Sequence, residues 1–200
     1  MFTGIIQDIG SISYSQNGIY IVKTNLDLSD CKEGSSISCN GVCLTANNIN
    51  KYNNNYNFNV NIGEETLNRT NLGNVIKNNQ KINIEKSLKI GDEIGGHFVY
   101  GHVDTVTSII NIERLENSWE YYFSQNFVNN NRFIVEKASI SINGISLTIA
   151  KVTKDSFVIS VINHTYNNTN LKYLSLDDKA NIEFDYLARF ISNNENKQSQ

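Results

Sequence analysis

Along most of the chain, hydrophobic and polar positions alternate over short spans instead of recurring every three or four residues. The runs IYIVKTNLDL (19–28), SISINGISLTIAKV (139–152) and DSFVISVI (155–162) show alternation or β-branched blocks of strand length. Asn-Gly pairs at 17–18, 40–41 and 143–144 mark candidate tight turns, the last two inside otherwise strand-like runs. Helical character is confined to short pieces near EETLNRT (64–70) and HTYNNTNL (164–171), and to an apolar periodic stretch that predicts a C-terminal helix with one sticky face over 186–192. The polar end, 193–200, has nothing to bury, and disorder is expected there.

The pattern is written twice. SISCNGVCLT (36–45) returns as SISINGISLT (139–148), and TGIIQDIGSI (3–12) echoes YGHVDTVTSI (100–109). ETLNRTNL (65–72) matches HTYNNTNL (164–171), and NIE recurs at 83–85 and 181–183. Four collinear echoes at nearly constant offset define an internal duplication, with units at 1–97 and 98–185. Short antiparallel strands at regular spacing favour closed barrels, because closure removes exposed edges. The expected fold is therefore all-β: two similar six-stranded antiparallel Greek-key barrels and a short C-terminal helix.

Composition narrows the function classes. A formal charge of −3 with 17 scattered Lys and Arg argues against a nucleic-acid footprint, which needs a clustered basic face. No apolar run reaches membrane-span length, and MFTGIIQDIG lacks the features of a signal peptide, so a cytoplasmic location is expected. Cys31, Cys39 and Cys43 are odd in number and show no metal-ligand spacing, which fits reduced thiols. Pro is absent, and the heavy use of Asn reads as compositional bias. His97 and His102, five apart, would point to opposite faces of a strand, and no metal site is expected. There is no Gly-x-Ser-x-Gly elbow, phosphate loop or dinucleotide fingerprint.

What remains is the asymmetry between the units. His102 stands where the first unit has Ile5, and Ser146 where it has Cys43, while Thr45 and Thr148 agree. Ser146 and Thr148 alternate on one strand face and point the same way. From the residues alone, His102 could equally be a satisfied structural imidazole, and Cys43 a small packed hydrophobe. Barrel hydrogen bonding would account for Ser146 and Thr148. Phe2 opens directly into the first strand.

The opening MFTGIIQ, the paired NGVCLT and NGISLT, the junction GGHFVYGHVD (95–104) and the ending NIEFDYLARF (181–190) together resemble riboflavin synthase of the duplicated-barrel type, in order over residues 1 to about 191. The resemblance implies dismutation of two 6,7-dimethyl-8-ribityllumazine molecules by four-carbon transfer, giving riboflavin and 5-amino-6-(D-ribitylamino)uracil, with no metal and no cofactor. It implies a homotrimer with the working site between subunits, and lumazine synthase as a further partner. A first pocket would be lined by Gly4, Ile5, Ile6, Ser36, Cys43, Leu44, Thr45, Asn61, Ile62, Gly63, Glu64, Glu65 and Thr66. A second would use Gly101, His102, Val103, Lys137, Ser146, Leu147, Thr148, Ser160, Val161, Ile162, Asn163, His164 and Thr165. In this reading His102 moves protons at the acidic methyl next to ring carbon 7, and Ser146 and Thr148 hydrogen-bond the ring or a water. Cys43 or a hydroxyl adds to the acceptor ring, Asp185 orients a partner, and Phe2 joins the catalytic set. Two rivals follow from the same barrels: a lumazine carrier that has lost the chemistry, and an oligonucleotide-binding module, which would need a basic groove.

Overall fold

The structure, a computed structural model, describes residues 1–125 and 131–190. The alternating runs form strands: β1 (Asp8–Gln16), β2 (Ile19–Thr24), β3 (Ser36–Cys39), β4 (Val42–Thr45), β5 (Asn47–Tyr52), β6 (Asn55–Asn61) and β7 (Lys81–Lys86) in the first unit. The second unit holds β8 (Thr105–Arg114), β9 (Ser118–Ser124), β10 (Ser139–Ile142), β11 (Ile145–Val152), β12 (Ser156–Ile162) and β13 (Lys179–Phe184). Helices α1 (Glu64–Arg69), α2 (Leu72–Lys77) and α3 (Asn163–Asn168) are short, and 186–190 forms the C-terminal helix. Residues 191 and 192 of the expected helix, and the tail 193–200, lie outside the described residues.

The second unit closes into a six-stranded antiparallel barrel in the order β10-β11-β12-β9-β8-β13. The first runs β4-β3-β7-β1-β2-β6-β5, the same Greek-key circuit. It counts seven strands because the counterpart of β11 is split at Ala46 into β4 and β5 at the two ends of the sheet, although Ala46 makes the backbone bonds to Gly34 and Ser35 that Ile149 makes to Lys137 and Ala138. All three Asn-Gly pairs turn hairpins, with φ of 50° and 73°, 54° and 78°, and 48° and 81°. Left-handed backbone at both turn residues is the geometry that two-residue hairpins select. Each barrel buries its own apolar core, for example Val22, Phe58 and Ile84 in the first and Phe123, Phe157 and Ile182 in the second.

A local two-fold axis relates the barrels. Phe2 pairs with its own counterpart Val99 in an antiparallel bridge, with N–H to O distances of 2.7 and 3.0 Å. Gly41 packs backbone to backbone on Gly144: a Cβ on either would lie 2.6 or 2.8 Å from the other's amide nitrogen. Around this contact sit six buried asparagines, the equivalent pairs Asn40/Asn143, Asn71/Asn170 and Asn83/Asn181. Asn71 Nδ2 donates to Asn143 Oδ1 (3.1 Å), and Asn170 Nδ2 donates to Asn40 Oδ1 (3.0 Å). Asn83 Nδ2 reaches the Asn143 carbonyl at 3.0 Å, and Asn181 Nδ2 the Asn40 carbonyl at 2.8 Å. The reading of asparagine as compositional bias is thus corrected at these positions. An amide carries donor and acceptor together, so it can satisfy turn backbone from both barrels where no water enters.

Candidate active site

Cys43 and Ser146 lie on the outer faces of β4 and β11, each one residue from a buried neighbour, and Thr45 and Thr148 are exposed on the same faces. Over each passes a strap from the other unit. The Ser146 N–H donates to the Gly4 carbonyl at 2.8 Å, and the Cys43 N–H donates to the Gly101 carbonyl at 2.9 Å. Gly4 and Gly101 have φ of +74° and +78°, and a Cβ at either would fall within 2.6 Å of Ser146 or Cys43 atoms, so only glycine admits this approach. Beyond the straps, Ile6 packs on the second core and Val103 on the first. The expected grouping, Gly4–Ile6 with Cys43 and Gly101–Val103 with Ser146, is therefore reversed. The duplicated segments cross between barrels, which no local pattern announces.

Two buried carboxylates hold the straps. Glu85 accepts the Thr3 N–H at 2.8 Å, the Thr3 hydroxyl at 3.0 Å and the Gly4 N–H at 3.1 Å. Its counterpart Glu183 accepts the N–H groups of Tyr100 at 2.6 Å and His102 at 2.8 Å. Burial raises the pKa of both above the ordinary carboxylate value, and the backbone donors work against that rise. The repeated NIE was the available signal for this pair, since it carries both the asparagine of the inter-barrel network and the clamp. Glu183→Gln turns one acceptor oxygen into an NH2 facing a backbone N–H. We expect it to cost about 1–3 kcal/mol, read as a lower urea midpoint, while Gln at exposed Glu64 changes nothing measurable.

The second-barrel cleft, about 110 Å³, is bounded by the Gly4–Ile6 strap, Ile145, Ser146 and the α3 residues His164, Thr165 and Asn168. Ser146 Oγ lies 2.6 Å from Nδ1 of His97, which sequence reasoning had set aside. Burial lowers the His97 pKa and the Asp185 charge raises it, the first effect being the larger. Asp185 also accepts the Leu187 N–H at 3.0 Å at the start of the C-terminal helix. Ser146 on β11 and His97 on the 95–104 junction thus meet beside this cleft, and the charge of Asp185, after the end of β13, acts on the imidazole. His102, the expected proton carrier, is exposed on its strap, its ring 6.4 Å from Tyr100.

The other expected residues divide. Leu44 is buried and Leu147 half-buried against their cores, and Ser36 pairs with Thr45 across β3 and β4. Asn61, Gly63, Glu64, Glu65, Ser160, Ile162 and Asn163 are exposed at the strand-to-helix corners, where Ile62 and Val161 are buried and Thr66 is half-buried. Lys137 is exposed with a left-handed φ of 70°. Phe2, placed with the catalytic set, is wholly buried, with its backbone bridged to Val99. Among the described residues, no His, Cys, Asp and Glu side chains are grouped to hold a metal, and no helix is long and apolar enough to cross a membrane.

The lumazine binding domain model matches the chain twice, at residues 3–87 and 100–185. The chain is 36% identical over 195 residues to a riboflavin synthase of Actinobacillus pleuropneumoniae, covering 96% of this chain and 88% of that one. The chain belongs to the riboflavin synthase family. Family members from Bacillus subtilis and Saccharomyces cerevisiae are 36% and 37% identical, over 100% and 96% of this chain and 94% and 84% of theirs. The fold is shared with a crystal structure of LumP complexed with 6,7-dimethyl-8-(1'-D-ribityl) lumazine, at TM-score 0.73 and 23% identity, over 92% of this chain and 99% of that one. The riboflavin synthase family thus accounts for both halves of the duplication, and each strap lies at the start of one matched repeat.

Proposed function

We propose that the chain binds one 6,7-dimethyl-8-ribityllumazine under each strap and dismutates the pair, moving a four-carbon unit from one to the other to give riboflavin and 5-amino-6-(D-ribitylamino)uracil. The observation that carries this is a pair of two-fold related strap contacts, Gly101 over Cys43 and Gly4 over Ser146, whose side chains differ. Two identical substrates need two similar pockets, and a donor and an acceptor need different chemistry in them. His97, whose pKa burial lowers, takes the proton from the methyl next to ring carbon 7 directly or through Ser146 Oγ, and Asp185 steadies the imidazolium that forms. Thr148 hydrogen-bonds the ring or a water, and Cys43 or a hydroxyl adds to the acceptor. Much of the acceleration is proximity, since effective molarities for held reactants reach roughly 10⁵ M or more.

Each cleft is built round its own strap, and the two reacting rings meet when the first-barrel cleft of one copy faces the second-barrel cleft of another in a homotrimer. Tyr186, Leu187 and Phe190 support this reading, being 51%, 64% and 60% exposed along one short helix. At that interface exposed His102 serves the neighbouring cleft. The assembly works in the cytoplasm, with lumazine synthase as its supplier.

Purified protein incubated with the lumazine alone is expected to form one riboflavin and one pyrimidinedione per two lumazines consumed, followed by absorbance and chromatography. Sedimentation should give a trimer. Lumazine that binds and fluoresces but stays intact for hours would make the chain a carrier and end the dismutase reading.

A further inference from the structure

The two clefts differ in a way the Cys43/Ser146 exchange does not capture. On β9, Trp119, the single tryptophan of the chain, stacks on Tyr166 of α3 with ring centroids 3.7 Å apart and planes 3° from parallel. The Arg114 guanidinium lies 5.9 Å from the same indole. Beyond this stack and the packing of Tyr166 on the second core, α3 is held by hydrogen bonds to its own carbonyls, Thr169 Oγ1 to Thr165 at 2.8 Å, Asn168 Nδ2 to His164 at 2.8 Å and Lys172 Nζ to Asn167 at 2.6 Å. Its sequence, NHTYNN, consists of mediocre helix formers, it spans six residues, its N-cap makes no side-chain bond, and none of its residues is fully buried. A helix of that length and composition does not persist on its own.

The first barrel is built otherwise. α1, EETLNR, has better helix formers and an Arg69–Glu65 pair at 2.6 Å. Leu67 stands where Tyr166 does and packs on the first core. Trp119 faces Val161 across β9 and β12, whereas the counterpart Ile62 donates its N–H to Gly18. The stack therefore belongs to one cleft only.

We propose that the Trp119–Tyr166 stack is the positioning element of the second-barrel cleft, fixing α3 so that His164, Thr165 and Asn168 stay opposed to Ser146. This rests on the reading that the cleft receives a lumazine. Stacked rings suit the task because they resist sliding and tilting together, while an aliphatic pair would bury comparable surface with less orientation.

The test compares Trp119→Leu, Trp119→Phe, Tyr166→Leu and Tyr166→Phe in the full chain, with amide hydrogen exchange and equilibrium titration of 6,7-dimethyl-8-ribityllumazine. Both Leu variants should speed exchange over 163–170 and weaken one of two lumazine-binding classes, each by about two- to tenfold. Exchange over α1 and the other binding class should stay unchanged, and both Phe variants should restore most of the loss. Leu variants that match wild type, or that weaken both classes equally, would overturn the proposal, as would Phe variants no better than Leu. A wild type that binds no lumazine would instead sink the functional reading, which the exchange data do not depend on.

Discussion

His97→Gln is expected to lower kcat for lumazine dismutation by about 100- to 1,000-fold while lumazine affinity changes little. The magnitude is that of losing a placed general acid–base group. Glutamine can still hydrogen-bond the hydroxyl of Ser146, 2.6 Å away in the wild type, but it cannot take a proton. The pH profile makes the test sharper. Since burial holds the His97 pKa below the ordinary imidazole value, its neutral form survives to more acid pH, and the acid limb should fall below about 6.5. Asp185→Asn removes the charge that raises this pKa, so the limb should move further down. The same sign governs stability: a depressed histidine pKa contributes stability above its unfolded value that is lost as pH falls through the folded one. A His97→Gln enzyme within threefold of wild type, beside a His102→Gln enzyme that has collapsed, would return the proton to His102.

Gly144→Ala should be strongly destabilising for a single added methyl. Its φ is +81°, and the new Cβ would sit 2.8 Å from the Gly41 nitrogen, backbone that cannot swing aside. Left-handed strain and overpacking together come to about 2–5 kcal/mol, or roughly 10 °C in Tm. Gly34→Ala separates the two contributions, because Gly34 has φ of +87° but nothing within 4 Å of an added Cβ. It should cost only the strain. Equal losses for the two would show that the barrels do not bear on each other at this turn.

The recurrence of SISxNGxxLT, the alternation of the strand runs and the left-handed preference of Asn-Gly were enough to place two barrels, their hairpins and the family. Each is a local property, read within a dozen residues or by laying one half on the other. Cys43, Ser146 and their threonines were singled out the same way, because duplication turns a difference between the halves into a visible substitution.

The crossing of the straps could not be found so. Gly4 meets Ser146 and Gly101 meets Cys43 where Glu85 and Glu183 accept the N–H groups of the straps, and that depends on where β7 and β13 end in space. His97 carries no local signal for the same reason: its partner Ser146 is 49 residues away. The asparagines carried no period and no motif, yet Asn181 Nδ2 donates to the Asn40 carbonyl across 141 residues. Periodicity and repetition report how a segment is built. Which segments share a dry space, and so which polar groups must satisfy one another, is decided only when the two barrels close on their common axis.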